Sequence, residues 1–332
     1  MPQMIQNLIR LNASSYHCRS FFKEEESMAN SFGLKYTFIQ SQEDLSLLRQ
    51  LCEKGNSIFI SNTHTTPEIL GTEMLNSASL WLHSNSGYDN FSYDFVSQAK
   101  FPIITGNSIR SSAVTEYILA QLFEKFGLCL HQATWDTSRS WPRPLLKEKN
   151  VLICGEGLIG STLESTLGPL CNELAVYDPF KKSEQEFKLT TFLKKLPQID
   201  IVLMACSLNS TSRHLINPEV LKLLARDFVL INAARGELVD ERGLLDHLRS
   251  EPKACAVLDV FESEPTPKNS IDLKNLKRSS HIAGVSKSLD KMIISFEKEA
   301  ISLFLNDETA FTKMYKDQSL ASRMNIKMKE LI

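Results

Sequence analysis

The chain has 332 residues, 42% hydrophobic and 23% charged, with a net charge of −2, enough length for two ordinary domains with their own cores. The near-neutral balance without a Lys/Arg run argues against a nucleic-acid partner. No uncharged apolar stretch reaches the roughly 18 residues of a membrane span, and MPQMIQNLIRLNASS lacks the basic-then-apolar pattern of a secretory signal.

Five short runs rich in β-branched and aromatic residues mark the first hundred positions: NLIRL from Asn7, LKYTFI from Leu34, SIFIS from Ser57, SLWLHS from Ser79 and FPIIT from Phe101. Segments of helical periodicity, Ser41–Lys54 and Pro67–Asn76, lie between them. Such alternation predicts a parallel sheet covered by helices. The polar turn Asn85-Ser86-Gly87-Tyr88-Asp89-Asn90 follows the fourth strand, and open α/β sheets bind ligands at the carboxyl ends of their strands. Ser111–Leu130 reads as a long amphipathic helix capped by Ser111 or Ser112. After the polar WDTSRSWPRP a second alternating series begins: VLIC from Val151, ELAVYD from Glu173, IDIVLMA from Ile199, DFVLIN from Asp227 and ACAVLDV from Ala254. A helix over Ser288–Leu305 precedes a charged tail. The seven cysteines are odd in number and form no CxxC, and the seven histidines show no ligand spacing. The thiols therefore read as reduced, in a cytoplasmic protein without a metal site.

Within VLICGEGLIG, Gly155, Gly157 and Gly160 form GxGxxG straight after a strand and at the start of a helix. The first glycine permits the tight turn, the second lets backbone approach a pyrophosphate, and the third lets helix and strand pack. Asp178 stands eighteen residues past Gly160 at the next strand end. There a carboxylate accepts from both ribose hydroxyls of NAD and repels the 2′-phosphate of NADP. The plainer readings are a bare strand-to-helix turn and a turn aspartate before Pro179. Lys181 and Lys182 lie nearby.

Leu230–Pro265 carries Arg235 in a tight Ala-Arg-Gly turn, Asp259 at the end of the following strand, and Glu264 just beyond. His281 opens HIAG sixteen residues past Pro265. Reduction of a 2-keto acid needs a cation for carboxylate and carbonyl, a proton donor, and a carboxylate to orient that donor. Arginine, histidine and glutamate suit these tasks in turn. Taken singly, each has an ordinary alternative as a surface arginine, a Glu-Pro turn or a structural histidine.

INAARGELVDERGLLDHL, AVLDVFESEP and HIAG, in that order, resemble the D-isomer-specific 2-hydroxyacid dehydrogenase family. GEGLIG with VYDP resembles its cofactor fingerprint, and GYDN and AVTEYILA its N-terminal and linker-helix signatures. The likeness covers about Leu80 to Leu305 and is absent from the tail. It implies α/β architecture with two Rossmann-like or flavodoxin-like parallel-sheet domains and a cleft between them. Residues 1–107 and 287–332 would form the substrate domain, and 108–286 the NAD domain. It implies that Arg235 binds substrate, that His281 is the acid/base and that Glu264 is its partner. The backbone of Asn85, Ser86 and Gly87 would hold the substrate carboxylate. Cofactor contacts would come from Gly155, Gly157, Leu158, Ile159, Gly160, Asp178, Ser207, Ala233, Arg235 and His281, with Asp259 on the nicotinamide carboxamide. The family arrangement is a homodimer.

Some positions depart from the family pattern. Ala205-Cys206-Ser207-Leu208 replaces a His-x-Pro-Leu element, Asn107-Ser108 a Pro-Gly-like turn, and Asn85 a glycine. Arg110 stands where relatives often carry a small or amide residue. It reads either as a second cation for a phosphate or distal carboxylate, as 3-phosphoglycerate or erythronate 4-phosphate would require, or as a solvated loop arginine. A binding protein on the same fold, an NAD(H)-sensing corepressor, retains a similar triad and is the alternative to an enzyme.

Overall fold

The computed structural model describes residues 5–12, 14, 17–40, 45–54, 56–65, 77–127, 134–135, 137, 144–181, 188–194, 196–265, 273–324 and 326. The expected helix Pro67–Asn76 and Lys182 lie outside them. The chain divides into two units, Met1–Arg110 with Ser286–Ile332, and Ser111–Val285. Among the described residues no helix is long and apolar enough to cross a membrane.

The first unit is built on a parallel sheet of β1 (Ile5–Leu11), β2 (Lys35–Ile39), β3 (Asn56–Ser61), β4 (Ala78–His83) and β5 (Ile103–Thr105), in the order β2-β1-β3-β4-β5. This is the flavodoxin order. Its strands fall on the five apolar runs because a parallel sheet is covered on both faces. Leu8, Ile9, Ile58, Phe59, Ile60, Leu80, Trp81 and Leu82 are all fully buried. Helices Arg19–Ser31 and Leu289–Asn306 pack on one face. The tail after Asn306 is not an open charged segment. It forms helices Glu308–Tyr315 and Leu320–Arg323, with Phe311, Tyr315 and Leu320 buried in the unit's core.

The second unit holds β6 (Asn150–Cys154), β7 (Glu173–Tyr177), β8 (Ile201–Met204), β9 (Val229–Asn232), β10 (Cys255–Leu258) and β11 (Leu276–Arg278), ordered β11-β10-β9-β8-β6-β7 and parallel throughout. No apolar run signals β11. It is an edge strand, Leu-Lys-Arg, and charged side chains on an edge discourage pairing with another chain. The helix expected over Ser111–Leu130 runs Asn107–Phe126. Ile109 is buried within its first turn, and Gly127 follows its last residue.

One cluster of charge lies inside the first unit's core. Arg10 on β1 pairs with Glu25 and, at 2.7 Å, with Glu297, all three at most 1% exposed. Tyr36 donates to Glu25, and Ser84 Oγ donates to Glu297 Oε1 at 2.6 Å. Burial pushes both carboxyls up. At Glu25 the Arg10 charge and hydrogen bonds from Arg10, Glu297 and Tyr36 reverse this and hold the carboxyl below its ordinary value. Glu297 remains well above it, because burial dominates there and the Glu25 charge adds to it. One guanidinium thus balances one carboxylate, with Glu297 held toward the neutral acid by burial and the Glu25 charge.

That assignment separates two isosteric substitutions. Glu297→Gln should change the unfolding free energy in urea by less than about 1 kcal/mol, whereas Glu25→Gln should lower it by about 3–5 kcal/mol by stranding a buried Arg10 charge. Equal losses would show that Glu297 is ionised.

Candidate active site

The glycine turn follows β6. Gly155 has φ +105°, and a Cβ there would lie 2.7 Å from Cys206 Cα. A Cβ on Gly160 would lie 1.9 Å from Gly155 O, while one on Gly157 would meet nothing within 4 Å. Two glycines are therefore demanded by packing, and the third opens space at the start of helix Leu158–Leu167. That helix begins at Gly157 without a side-chain cap and without an acid in its first turn. Uncapped N–H groups beside open space fit a dinucleotide pyrophosphate. Leu158 is exposed and Ile159 half-buried beside it.

Half-buried Asp178 closes β7. Its Oδ2 accepts from Glu156 N at 2.9 Å and its Oδ1 from Phe180 N at 3.0 Å. It braces the glycine turn as well as standing where a ribose is expected. Ser207 follows β8, half-buried, its carbonyl accepting from Ser212 Oγ at 2.8 Å. Ala233 follows β9 and is 9% exposed.

The Arg235 turn is shaped by Asn232, a fully buried residue that sequence reasoning passes over. Its Nδ2 donates to Arg235 O at 2.8 Å and its Oδ1 accepts from Ala234 N at 3.1 Å. Gly236 then lies so close to the next loop that a Cβ would stand 1.9 Å from Phe261 C. The two loops are locked backbone to backbone. Half-buried Arg235 donates from Nη1 to Ala234 O at 2.8 Å.

Beyond β10, Glu264 Oε1 accepts from Phe261 N at 2.9 Å and Oε2 meets His281 Nδ1 at 2.7 Å. Burial raises the Glu264 carboxyl. The His281 and Phe261 hydrogen bonds outweigh it, with the His281 and Arg235 charges adding to them, and the group sits below its ordinary value. An ionised Glu264 makes Nδ1 the protonated nitrogen, so Nε2 is the one left to exchange a proton. The His281 side chain is 51% exposed. Arginine, glutamate and histidine thus share one electrostatic neighbourhood. The loop has further support: Glu241 N donates to Glu262 Oε1 at 3.1 Å and Glu262 N to Glu241 Oε2 at 3.0 Å.

Asp259 departs from the expectation. It is 0% exposed, and its carboxylate accepts from Ser279 Oγ at 2.5 Å, Ile282 N at 2.9 Å and Ala283 N at 2.7 Å. His281 N also donates to Asp259 O at 2.8 Å. Such a side chain has no surface to offer a carboxamide. It braces the His281 loop instead, as a strand-end aspartate bonded to the next turn. Tyr117 OH extends the brace through Ser279 Oγ at 2.6 Å.

The first unit carries the loop Asn85–Gly87. Asn85 O accepts from Gly106 N at 3.1 Å, Ser86 O from Arg323 Nη1 at 2.6 Å, and Gly87 O from His83 Nε2 at 2.8 Å. Among the described residues the N–H groups of Asn85, Ser86 and Gly87 meet no acceptor. Arg110 is neither a loop residue nor freely solvated. It lies in the first turn of helix Asn107–Phe126, half-buried, its Nη1 donating to Ser84 O at 2.7 Å. Among the described residues no group of three or more His, Cys, Asp or Glu could hold a metal ion.

A model of the D-isomer specific 2-hydroxyacid dehydrogenase NAD binding domain matches residues 119–283. The (S)-sulfolactate dehydrogenase of Chromohalobacter salexigens is 30% identical over 226 residues, 62% of this chain and 71% of that one. Glyoxylate reductase 1 of Saccharomyces cerevisiae is 27% identical over 283 residues, 78% of this chain and 79% of its own. In fold, the chain resembles the NAD+-bound 3-phosphoglycerate dehydrogenase of Entamoeba histolytica, with a TM-score of 0.69 at 18% identity over 92% of this chain and 97% of that one.

The Asp259 brace predicts a stability defect. Asp259→Ala leaves two loop N–H groups without an acceptor and should lower the unfolding free energy by about 2–4 kcal/mol. Asp259→Asn, which keeps one oxygen, should lose less. Urea titration of both variants checks the order, and an Asp259→Ala protein as stable as the parent would refute the brace.

Proposed function

The chain belongs to the D-isomer specific 2-hydroxyacid dehydrogenase family and is an NAD-dependent oxidoreductase, and from that premise we propose that it interconverts a short D-2-hydroxyacid and its 2-keto acid through Arg235, Glu264 and His281. The observation that carries the reading is the His281 Nδ1–Glu264 Oε2 contact at 2.7 Å beside the Arg235 charge. Bound NADH supplies the hydride. Arg235 holds the substrate carboxylate and draws charge from the carbonyl, a task suited to a guanidinium that never deprotonates. His281 gives its Nε2 proton to the carbonyl oxygen in reduction and takes it back in oxidation. Glu264 keeps the ring in one tautomer and stabilises the imidazolium. The N–H groups of Asn85, Ser86 and Gly87 receive the carboxylate. Gly155, Gly157 and Gly160 with the helix behind them receive the pyrophosphate, and Asp178 the adenosine ribose, in keeping with NAD. No observation favours the corepressor alternative.

For a substrate phosphate, Arg110 is less apt than its sequence position implies, because its guanidinium supports the Ser84 carbonyl. A short unphosphorylated acid is therefore the proposed substrate. Arg110→Ala should raise KM for glyoxylate and for 3-phosphohydroxypyruvate by similar factors. A rise confined to the phosphorylated acid would assign Arg110 to the phosphate.

The reaction is tested by following NADH absorbance with glyoxylate, pyruvate, hydroxypyruvate and 3-phosphohydroxypyruvate. His281→Ala should lower kcat at least about 100-fold, and NADH binding without turnover of any acid would refute the enzyme reading. Reduction consumes the His281 proton, so kcat/KM for the keto acid should fall as pH rises while that for the hydroxyacid climbs. Glu264 cannot mimic this. Its folded carboxyl titrates below the unfolded value, so its contribution to stability is complete above the ordinary carboxylate range and is lost only as pH falls through the folded value. A profile flat through neutrality, with the chemical step rate-limiting, would remove His281 from the proton transfer.

A further inference from the structure

We propose that Arg323, from the C-terminal segment, is a positioning residue that fixes the loop Asn85–Gly87 as an anion receptor. The proposal rests on the reading of that loop as the seat of the substrate carboxylate.

Four consecutive carbonyl oxygens on this loop are each held from within the first unit: Ser84 O by Arg110, Asn85 O by Gly106 N, Ser86 O by Arg323 and Gly87 O by His83. In a trans peptide the C=O and the following N–H point in opposite directions. Holding the carbonyls of Ser84, Asn85 and Ser86 therefore fixes, peptide by peptide, the direction of the N–H groups of Asn85, Ser86 and Gly87, which are left without an acceptor among the described residues. Successive N–H groups presented in this manner form a concave site for an anion. Two of the four supports come from beside the loop, His83 at the end of β4 and Gly106 N just past β5, and Arg110 from the helix that follows. The fourth, Arg323, lies 237 positions from Ser86 in sequence.

Arg323 is itself well seated. Its Nη1 also donates to Thr105 Oγ1 at 3.2 Å, and its Cζ stands 4.5 Å from the Tyr88 ring centroid. Thr105 Oγ1 donates to Gln318 O at 2.8 Å, Ile104 bridges Ser319, and Leu320 is fully buried. The helix Leu320–Arg323 is thereby docked against β5, and its last residue reaches the loop. A cation donating to Ser86 O polarises that peptide and strengthens its N–H, on Gly87, as a donor. Loss of Arg323 would free the Ser86–Gly87 peptide to rotate and withdraw one donor from the receptor.

The test titrates oxamate, a 2-keto acid isostere that cannot be reduced, into the NADH-saturated full-length protein. Removing a charge-assisted hydrogen bond of this kind should weaken oxamate about tenfold or more in Arg323→Ala, with the same rise in KM for the keto acid turned over best, and with kcat and the NADH Kd within about twofold of the parent. Arg323→Lys should fall between parent and alanine variant, because one ammonium cannot reproduce the planar fork. It also carries the test if the alanine variant does not fold, parental oxamate affinity then overturning the proposal. So would parallel losses of oxamate and NADH binding, which mark general damage. Gly87→Pro, which deletes a receptor N–H, separates the two levels. If it weakens oxamate while Arg323→Ala does not, the loop reading stands and the role of Arg323 fails. If neither variant weakens oxamate, or the parent does not bind it, the loop reading fails as well.

Discussion

The proposed catalytic cluster depends on one buried carboxyl group. Asp259 accepts three hydrogen bonds through its side chain and a fourth, from His281 N, through its carbonyl. Together these hold His281 at φ +54°, a left-handed conformation that a side chain bearing a Cβ adopts at some cost. A carboxyl group so deeply buried is tolerable because three donors are aimed at it. The imidazole is therefore placed by the backbone, and Glu264 has only to orient a ring already in position. Glu264 is fixed in turn by Phe261 N, and Phe261 by the close approach of Gly236. Arginine turn, glutamate loop and histidine turn are thus linked contact by contact.

The first unit solves a similar problem with a charged interior. Arg10, Glu25 and Glu297 bury one net ion pair and one neutral acid, and Ser84 donates into this cluster at the base of the loop Asn85–Gly87. The next residue along is already part of the proposed anion receptor. Apolar packing against Leu80, Trp81 and Leu82 fixes where β4 lies, but it does not fix the rotation of the peptides beyond its end. The hydrogen bonds to Ser84, Asn85, Ser86 and Gly87 supply that directionality.

How much of this is legible in the sequence follows from where each signal resides. Strands buried on both faces become unbroken apolar runs, and ten of the eleven can be read directly. The eleventh, Leu276–Arg278, is a charged edge and leaves no such run. The tail hides its core residues because Phe311, Tyr315 and Leu320 are spaced among lysines and acids. Ser111 and Ser112 look like caps, yet the helix starts at Asn107 because Ile109 gains burial in the first unit. Arg235, Glu264 and His281 are legible because their chemistry is carried by local motifs. Asp259 is legible as a residue but not in its role, since burial and three donors from residues 279–283 are properties of the folded turn. Arg323 and Glu297 bring no motif, and their partners lie 237 and 213 positions away.

Topology explains why so many of the side chains proposed for function lie along one rim of the second unit. In an all-parallel sheet every strand ends on the same edge, so each strand-to-helix turn contributes to one rim. Gly155 leaves β6, Asp178 leaves β7, Ser207 follows β8, Arg235 follows β9, Asp259 follows β10 and His281 follows β11. The chain order reverses between β6 and β8, and the glycine turn and the Ala205–Cys206 backbone stand there in contact. That contact relates the departure Ala205-Cys206-Ser207-Leu208 to the cofactor turn physically: the Cys206 backbone is the wall that requires glycine at 155. A changed side chain in this element leaves the wall intact, because the wall is made of main chain. The family's cofactor turn can therefore persist where the usual histidine and proline do not.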